Sequence, residues 1–191
     1  MADVVSPATR SRMMAGIKGK DTKPELLIRR GLHALGFRYR LHEKKLPGKP
    51  DLVFPMHRAV IFVHGCFWHG HDCHLFKWPS TREKFWREKI TANRENDAKH
   101  LTALRTDGWR VLVVWECALK GKLRLANESV IEDVASWLNQ KKPTGEIRGK
   151  ASREKLDANR TRRDKKPSET PTADEKARRS RPRLQAPRTK R

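Results

Sequence analysis

The chain has 191 residues, 35% of them charged, and a formal net charge of +22. This charge indicates a polyanionic partner, and nucleic acid fits better than a membrane surface because the sequence contains no basic amphipathic helix with a clean apolar face. No apolar run is long enough to span a membrane, and residues 1–10 lack the apolar core of a secretory signal, so we expect a cytosolic protein. A basic but otherwise ordinary protein is the alternative.

Composition divides the chain near residue 140. Residues 141–191 contain no Phe, Trp, Tyr, Val, Met or Cys, and their basic residues outnumber the acidic ones more than twofold. Such a segment cannot bury enough apolar area to offset its chain entropy, which predicts a disordered basic tail. The tail either adds salt-sensitive attraction to phosphates or only keeps the protein soluble. Residues 1–140 are predicted to form one α/β domain.

The first half of this domain is predicted to contain one helix followed by three strands. Residues 22–35 are predicted to form a helix, because apolar residues recur at helical spacing and Thr22 and Glu25 have the spacing of a capping box. Three strands follow, at residues 37–41, 51–54 and 58–63. In the first of them, alternation predicts one apolar face, made of Phe37, Tyr39 and Leu41.

The second half contains a long helix that we expect to begin at a capping box of Ser80 and Glu83 and to end near residue 105. An acid, Asp97, interrupts its otherwise mostly apolar stripe. A strongly apolar strand at 109–115 and a last helix at 129–138 complete the domain.

Histidines and cysteines are concentrated in residues 63–74, directly after a predicted strand. Thiolates together with imidazoles favour zinc over magnesium. One loop offers three ligands, and a fourth follows the buried strand at 109–115; the set is Cys66, His71, Cys73 and Cys117. Four protein ligands close the coordination shell, which predicts a structural zinc. The alternative is a set of reduced cysteines in a histidine-rich loop.

Two further features are compatible with action on DNA. Asp51 follows Pro50 at the start of a strand, where a fixed carboxylate can hold Mg²⁺ against a phosphate, although Pro-Asp is also a common turn dipeptide. Phe67 and Trp68 lie in the proposed zinc loop, and Trp86 lies on the long helix. These aromatic side chains either enter between base pairs or pack on the zinc site and the core.

Several stretches together resemble the very-short-patch-repair (Vsr) mismatch endonuclease family. They cover about residues 8–140 and are Ala8–Met14, Leu46–Asp51, Val60–His69, Phe85–Ile90 and Gly108–Cys117. The resemblance implies a fold related to restriction endonucleases, with a mixed central sheet flanked by helices. The strand after Pro-Asp ends in Phe62-Val63-His64, without the acid and lysine of most restriction-type sites, as in the Vsr subgroup. Val63 replaces the threonine familiar there, and the basic tail is not a family feature.

The resemblance also implies roles for individual residues. Asp51 and the backbone carbonyl of Val63 would bind catalytic Mg²⁺, and His69 would activate the attacking water. Supporting and orienting groups would be Glu25, His64 and Asp97, although the capping box is an alternative role for Glu25. Structural zinc would bind to Cys66, His71, Cys73 and Cys117. DNA-intercalating side chains would be Phe67, Trp68, Trp86 and, from an N-terminal arm formed by residues 1–20, Met14.

By this resemblance the substrate is duplex DNA with a T·G mismatch, nicked on the 5′ side of the thymine to begin repair of deaminated 5-methylcytosine. A wobble pair costs less to open than a Watson–Crick pair, which favours its selection. We expect a bacterial, nucleoid-associated monomer with excision-repair proteins as partners. The alternatives are a restriction-type or phage nicking nuclease of the same fold, and a zinc-stabilised DNA-binding module without activity.

Overall fold

The computed structural model describes residues 6–16 and 19–151. Within them two helices precede the first three strands, and the remaining helices and strands are interspersed. The helices are α1 (Pro7–Ala15), α2 (Lys23–Ala34), α3 (Glu83–Thr106), α4 (Glu116–Leu119) and α5 (Asn127–Asn139). The strands are β1 (Arg40–Leu41), β2 (Leu52–Phe54), β3 (Ala59–His64), β4 (Arg110–Trp115) and β5 (Thr144–Ile147).

The strands form one mixed sheet in the order β1-β2-β3-β4-β5. The first three strands pair antiparallel, whereas β3, β4 and β5 run parallel. The parallel pair β3 and β4 is connected through α3, as a parallel pair needs a long crossover. The predicted α/β architecture, a mixed central sheet flanked by helices, is confirmed.

Both faces of the sheet are covered by helices. On one face, Ile28 and Leu32 of α2 and Val134 of α5 are fully buried against the strands. On the other face, Leu104 of α3 packs with a smaller cluster that includes Val60. The apolar spacing within α2 therefore marked the buried side of that helix correctly.

The predicted strand at 37–41 is largely wrong. Only Arg40–Leu41 pair with β2, and Leu41 is 41% exposed instead of facing the core. Phe37 and Tyr39 do pack on Phe54. The Tyr39 hydroxyl donates a 2.8 Å hydrogen bond to the Arg29 carbonyl, which ties this segment to α2 instead of to the sheet.

The predicted capping box at the start of the long helix is also wrong. The helix begins at Glu83, and the residue before it, Arg82, has a left-handed backbone (φ 52°) and makes no capping side-chain hydrogen bond within the described chain. Ser80 lies two residues too early to occupy the cap position. By contrast, Thr22 caps α2 as predicted, because its hydroxyl accepts from the Glu25 amide.

The sheet continues past residue 140, where composition predicted the end of the domain. Strand β5 pairs with β4 from Val111↔Thr144 to Val114↔Ile147. Only Ile147 of this edge strand is buried, so its composition resembles that of a tail. The segment predicted to be disordered lies outside the described residues from 152 onward. No helix in the described part of the chain is long and apolar enough to cross a membrane.

Candidate active site and metal centre

A cleft of about 850 Å³ lies beside the start of β2 and the end of β3. Six of the predicted site residues line it: Glu25, Asp51, Val63, His64, Trp68 and His69. The predicted carboxylate and the predicted base therefore face the same cavity, although they are separated by 18 positions in sequence. The antiparallel pairing of β2 with β3 produces this meeting, because it brings the residue before β2 beside the end of β3.

Asp51 is fixed by the strand next to it. The Val63 amide donates a 2.7 Å hydrogen bond to Asp51 Oδ2. Burial raises the pKa of Asp51 to about 6; the Val63 hydrogen bond opposes this rise, and the charge of nearby Glu25 adds to it. A cation beside Asp51 would stabilise its ionised form, as a site for Mg²⁺ requires.

Glu25 is only 4% exposed, and both of its carboxylate oxygens accept hydrogen bonds. The Thr22 hydroxyl donates at 2.7 Å and the Asp21 amide at 2.9 Å. The capping role predicted from spacing is therefore real, and the same side chain also lines the cleft with Asp51.

His69 is oriented by the acid that interrupts the stripe of α3. His69 Nδ1 lies 2.5 Å from Asp97 Oδ2. Burial opposes ionisation of Asp97. The hydrogen bond from His69 and the electrostatic attraction of the His69 ring outweigh this effect of burial, so the pKa of Asp97 is lowered. An ionised Asp97 can only accept, so Nδ1 carries the proton and Nε2 is left as the basic nitrogen of His69.

His64 stacks on the opposite side of this imidazole. The two rings are parallel, with centroids 3.8 Å apart. Burial lowers the pKa of His64 to about 3, and the neighbouring His69 contributes to the shift. His64 is therefore neutral at working pH and restricts the rotation of the His69 ring without competing for its proton.

The predicted intercalating residues form an aromatic cluster. The ring of Phe67 lies 5.2 Å from those of Trp68 and Trp86, and the two tryptophans contact each other at 6.0 Å. The Asn93 side chain donates to the Trp68 carbonyl at 2.8 Å, which ties the loop to α3. All three rings are half-buried, so they are neither core residues nor fully free side chains.

The four predicted zinc ligands converge. One donor atom from each of Cys66, His71, Cys73 and Cys117 lies within 4.8 Å of the other three. His71 Nδ1 is 3.5 Å from the Cys66 sulfur and 3.6 Å from the Cys117 sulfur. Three sulfurs and one imidazole match the donor set of a structural zinc, so the residues fit this ion.

Backbone amides also support thiolates at this centre. The Cys117 amide donates to the Cys66 sulfur, and the Gly149 amide donates to the Cys117 sulfur, both at 3.3 Å. The hydrogen bond from the Cys66 thiol, followed by that of Gly149, lowers the pKa of Cys117 despite its burial. A deprotonated sulfur is the form that binds a metal.

Sequence comparison decides the family. A family model described as DNA mismatch endonuclease Vsr matches residues 2–75. The "DNA mismatch endonuclease Vsr" of Escherichia coli K12 is 47% identical over 138 residues, which cover 72% of this chain and 88% of that protein. The chain belongs to the Vsr family. Vsr proteins have a restriction-endonuclease-like fold, with which the mixed sheet agrees.

Two other Vsr relatives are similar over comparable lengths. "Type II nicking enzyme V.XorIIP" of Xanthomonas oryzae is 50% identical over 119 residues, covering 62% of this chain and 88% of its own. "Type II nicking enzyme V.NmeAIP" of Neisseria meningitidis is 48% identical over 122 residues, covering 64% and 87%. The resemblance first indicated by the motifs is thereby confirmed.

All but one of the predicted site residues lie in or beside the cleft, in the aromatic cluster or at the metal centre. The exception is Met14, which lies in α1 but whose side chain is outside the described structure. Sequence reasoning missed His42, whose Nδ1 is 3.8 Å from Asp51 Oδ1. A signal existed, because strands flanking the turn at 46–50 bring position 42 opposite position 51, and the His42 amide indeed donates to the Asp51 carbonyl.

The aromatic cluster extends further than the three predicted residues. Phe76 and Phe85 contact it through Phe67 and Trp86, and Trp78 contacts Phe76. Trp78 is 44% and Phe85 43% exposed. The density of aromatic residues between positions 67 and 86 was a usable signal for this extension.

Proposed function

We propose that this Vsr-family protein is a Mg²⁺-dependent endonuclease that nicks duplex DNA on the 5′ side of the thymine of a T·G mismatch. The observation that carries the proposal is the shared cleft of Asp51 and His69, whose Nδ1 is hydrogen-bonded to Asp97. A carboxylate for a metal ion and a base for water are the two groups that metal-assisted hydrolysis of a phosphodiester needs.

The relatives and the charge of the cleft support a nuclease acting on DNA. The names of the relatives describe a mismatch endonuclease and nicking enzymes. Lys20 and Lys49 line the cleft together with the proposed catalytic residues. Their charges favour a phosphate group at this position, as the basic composition does for the chain as a whole.

In the proposed mechanism, Asp51 and the Val63 carbonyl would hold Mg²⁺. Mg²⁺ bound there would supply positive charge to neutralise the phosphate and to stabilise the leaving oxygen. His69 Nε2 accepts a proton from the attacking water as the water oxygen bonds to phosphorus. The bond from phosphorus to the leaving oxygen breaks, and that oxygen takes up a proton from solvent. Asp97 stabilises the imidazolium that forms, and His64 keeps the ring in its plane. The Asp21 amide, just before α2, donates to Glu25 and so holds the Glu25 carboxylate in place in the cleft.

The aromatic cluster and the zinc centre serve recognition in this proposal. Phe67, Trp68 and Trp86 enter beside the mismatch, and Met14 enters from the other groove. Inserted rings unstack base pairs at a cost of a few kcal/mol per step, and this cost is lowest at a mismatch. Zinc bound at the loop of residues 66–73 gives the inserted rings a rigid support.

We further propose that the nick begins excision repair of deaminated 5-methylcytosine by a bacterial cytoplasmic monomer, with excision-repair proteins as partners. The basic segment from residue 152 onward would add contacts to DNA phosphates outside the mismatch.

A nicking assay tests the proposed function. Duplexes that carry every single mismatch, and a matched duplex, are incubated with the protein with and without Mg²⁺. We expect one nick, in the thymine strand of the T·G duplex, only with Mg²⁺. Equal cutting of the matched duplex would instead favour a restriction-type or phage nicking nuclease. Tight binding without any cutting would favour a DNA-binding module that zinc stabilises.

A further inference from the structure

Glu146 lies on the edge strand β5, outside the stretch that carries the family motifs, and its side chain faces the metal centre. The indole Nε1 of Trp115 donates a 2.6 Å hydrogen bond to Glu146 Oε1. His71 Nε2 lies 3.8 Å from the same oxygen. One carboxylate oxygen is therefore adjacent to two ring nitrogens, of which only the indole nitrogen is close enough for a hydrogen bond.

The two ring nitrogens of His71 face different neighbours. Its Nδ1 faces the cysteine sulfurs, whereas its Nε2 is buried and has no hydrogen-bond partner among the described residues. The ring lies parallel to Trp115, with centroids 3.9 Å apart. A movement of under about 1 Å in this plane would bring Nε2 into hydrogen-bond distance of Glu146.

The C-terminal residues after Glu146 contact the same centre. The Gly149 amide donates to the Cys117 sulfur at 3.3 Å, and the Arg148 side chain donates to the Asp72 carbonyl at 2.7 Å. A Cβ on Gly149 would lie 2.4 Å from the Cys117 carbonyl oxygen, so only glycine permits this approach. Three residues of one segment thus contact the proposed metal loop or the Cys117 ligand.

We propose that Glu146 is a positioning residue for the metal centre: it accepts a hydrogen bond from the Nε2–H of His71, fixes the tautomer with Nδ1 free for the metal, and increases the basicity of that ligand. Histidine ligands of metal sites usually donate their other N–H to a carboxylate, a carbonyl or a water. Trp115 holds the carboxylate in place and limits the tilt of the histidine ring. The inference rests on the proposed zinc centre.

The test measures zinc affinity by competition with a chelator at fixed pH. Loss of such a carboxylate typically lowers metal affinity by about 10–100-fold, and we expect Glu146→Gln to lower zinc affinity by about 10-fold or more. Trp115→Phe keeps a ring beside His71 but removes the N–H donor, so we expect a smaller loss in the same direction. The matched control is Glu132→Gln, which removes the same charge from the exposed surface of α5 and should leave zinc affinity unchanged.

Cobalt replacement separates an effect on the ligand from an effect on folding. The visible absorption of bound Co²⁺ reports the ligand field, and we expect it to change in Glu146→Gln but not in Glu132→Gln. Thermal unfolding of the zinc-free proteins should be the same for Glu146→Gln and the parent chain. A parent chain that binds no zinc would refute the zinc centre itself. Unchanged zinc affinity and an unchanged Co²⁺ spectrum in Glu146→Gln would refute the role of Glu146 alone.

Discussion

Three histidines at and after the end of β3 have different environments, which their immediate neighbours determine. His64 is buried against His69 and neutral, whereas His69 has an ionised carboxylate on Nδ1. His71 lies at the metal centre, where burial lowers its pKa. Of these three, only His69 combines access to the cleft with a partner that stabilises its protonated form, and this combination favours it as the base.

Replacement of Asp97 by Asn tests this pairing. The amide keeps the size of the side chain but cannot stabilise the imidazolium, so we expect the single-turnover nicking rate to fall by on the order of 10²-fold or more. DNA binding should change little. The control is Glu95→Gln, an equal change of charge at an exposed position of the same helix. An unchanged nicking rate in Asp97→Asn would show that another group orients His69.

Asp51 is expected to contribute to nicking but to lower the stability of the folded protein at neutral pH. Its pKa is raised to about 6 in the folded protein, mainly by burial, so the folded state holds its proton more tightly than the unfolded state does. Stability from this group is fully present below the ordinary pKa of 3.8 and is lost as the pH rises through 6. At neutral pH without metal, the ionised carboxylate therefore destabilises the fold.

We expect Asp51→Asn to abolish nicking and yet to stabilise the Mg²⁺-free protein at neutral pH by on the order of 2 kcal/mol. The Asn carbonyl can still accept from the Val63 amide. Thermal unfolding of the zinc-loaded proteins without Mg²⁺ measures the gain, which should disappear as the pH falls towards 4. Added Mg²⁺ should stabilise the parent chain and not the variant. A loss of stability at neutral pH would contradict the proposed burial cost.

Elements with a strong apolar period were predictable, and short or polar elements were not. The period of α2 and the apolar run of β4 determine both their type and their buried side. Strand β5 has one buried residue, and α3 starts without a capping side chain in the described structure, so neither carries a local signal. Such elements depend on pairing and packing with distant residues.

The contact between α2 and α5 gives a prediction at this scale. A methyl group on Gly31 would lie 2.3 Å from Ile131 Cδ1 and 2.7 Å from its Cγ1, so the two helices approach too closely for alanine. Alanine gains about 1 kcal/mol in helix propensity, but overpacking costs about 1–3 kcal/mol. We expect Gly31→Ala to destabilise the protein by about 1 kcal/mol in urea unfolding.

The double variant with Ile131→Ala is the control for this contact. Without the Ile131 side chain the added methyl group has room, so adding Gly31→Ala to Ile131→Ala should be neutral or stabilising. The coupling energy between the two changes then measures the clash. Additive costs would mean that Gly31 is required for a reason other than its distance from Ile131.

In the whole molecule, the two centres are joined by the ends of β3 and β4. The proposed catalytic residues lie in or beside the cleft, and the proposed zinc ligands begin two residues after β3 and continue in α4 after β4. The chemistry of the side chains predicted the zinc ligands and Asp51, whereas the roles of Glu25, His64, His69 and Asp97 were implied by the family resemblance. His42 and Glu146 were not predicted. Both residue types are common, and these two reach their positions only because the edge strands pair with the rest of the sheet.

Removal of residues 152–191 tests whether this basic segment binds DNA, since the described domain ends before it. If the segment binds phosphates, the truncated chain should bind matched duplex DNA more weakly. The slope of log affinity against log salt should become less steep by about 0.9 for each phosphate that the segment neutralises in the full chain. Nicking of saturating T·G duplex should not change, because all the proposed catalytic residues belong to the described domain. An unchanged slope would leave solubility as its role, whereas slower nicking at saturation would imply that the segment contributes to the reaction itself.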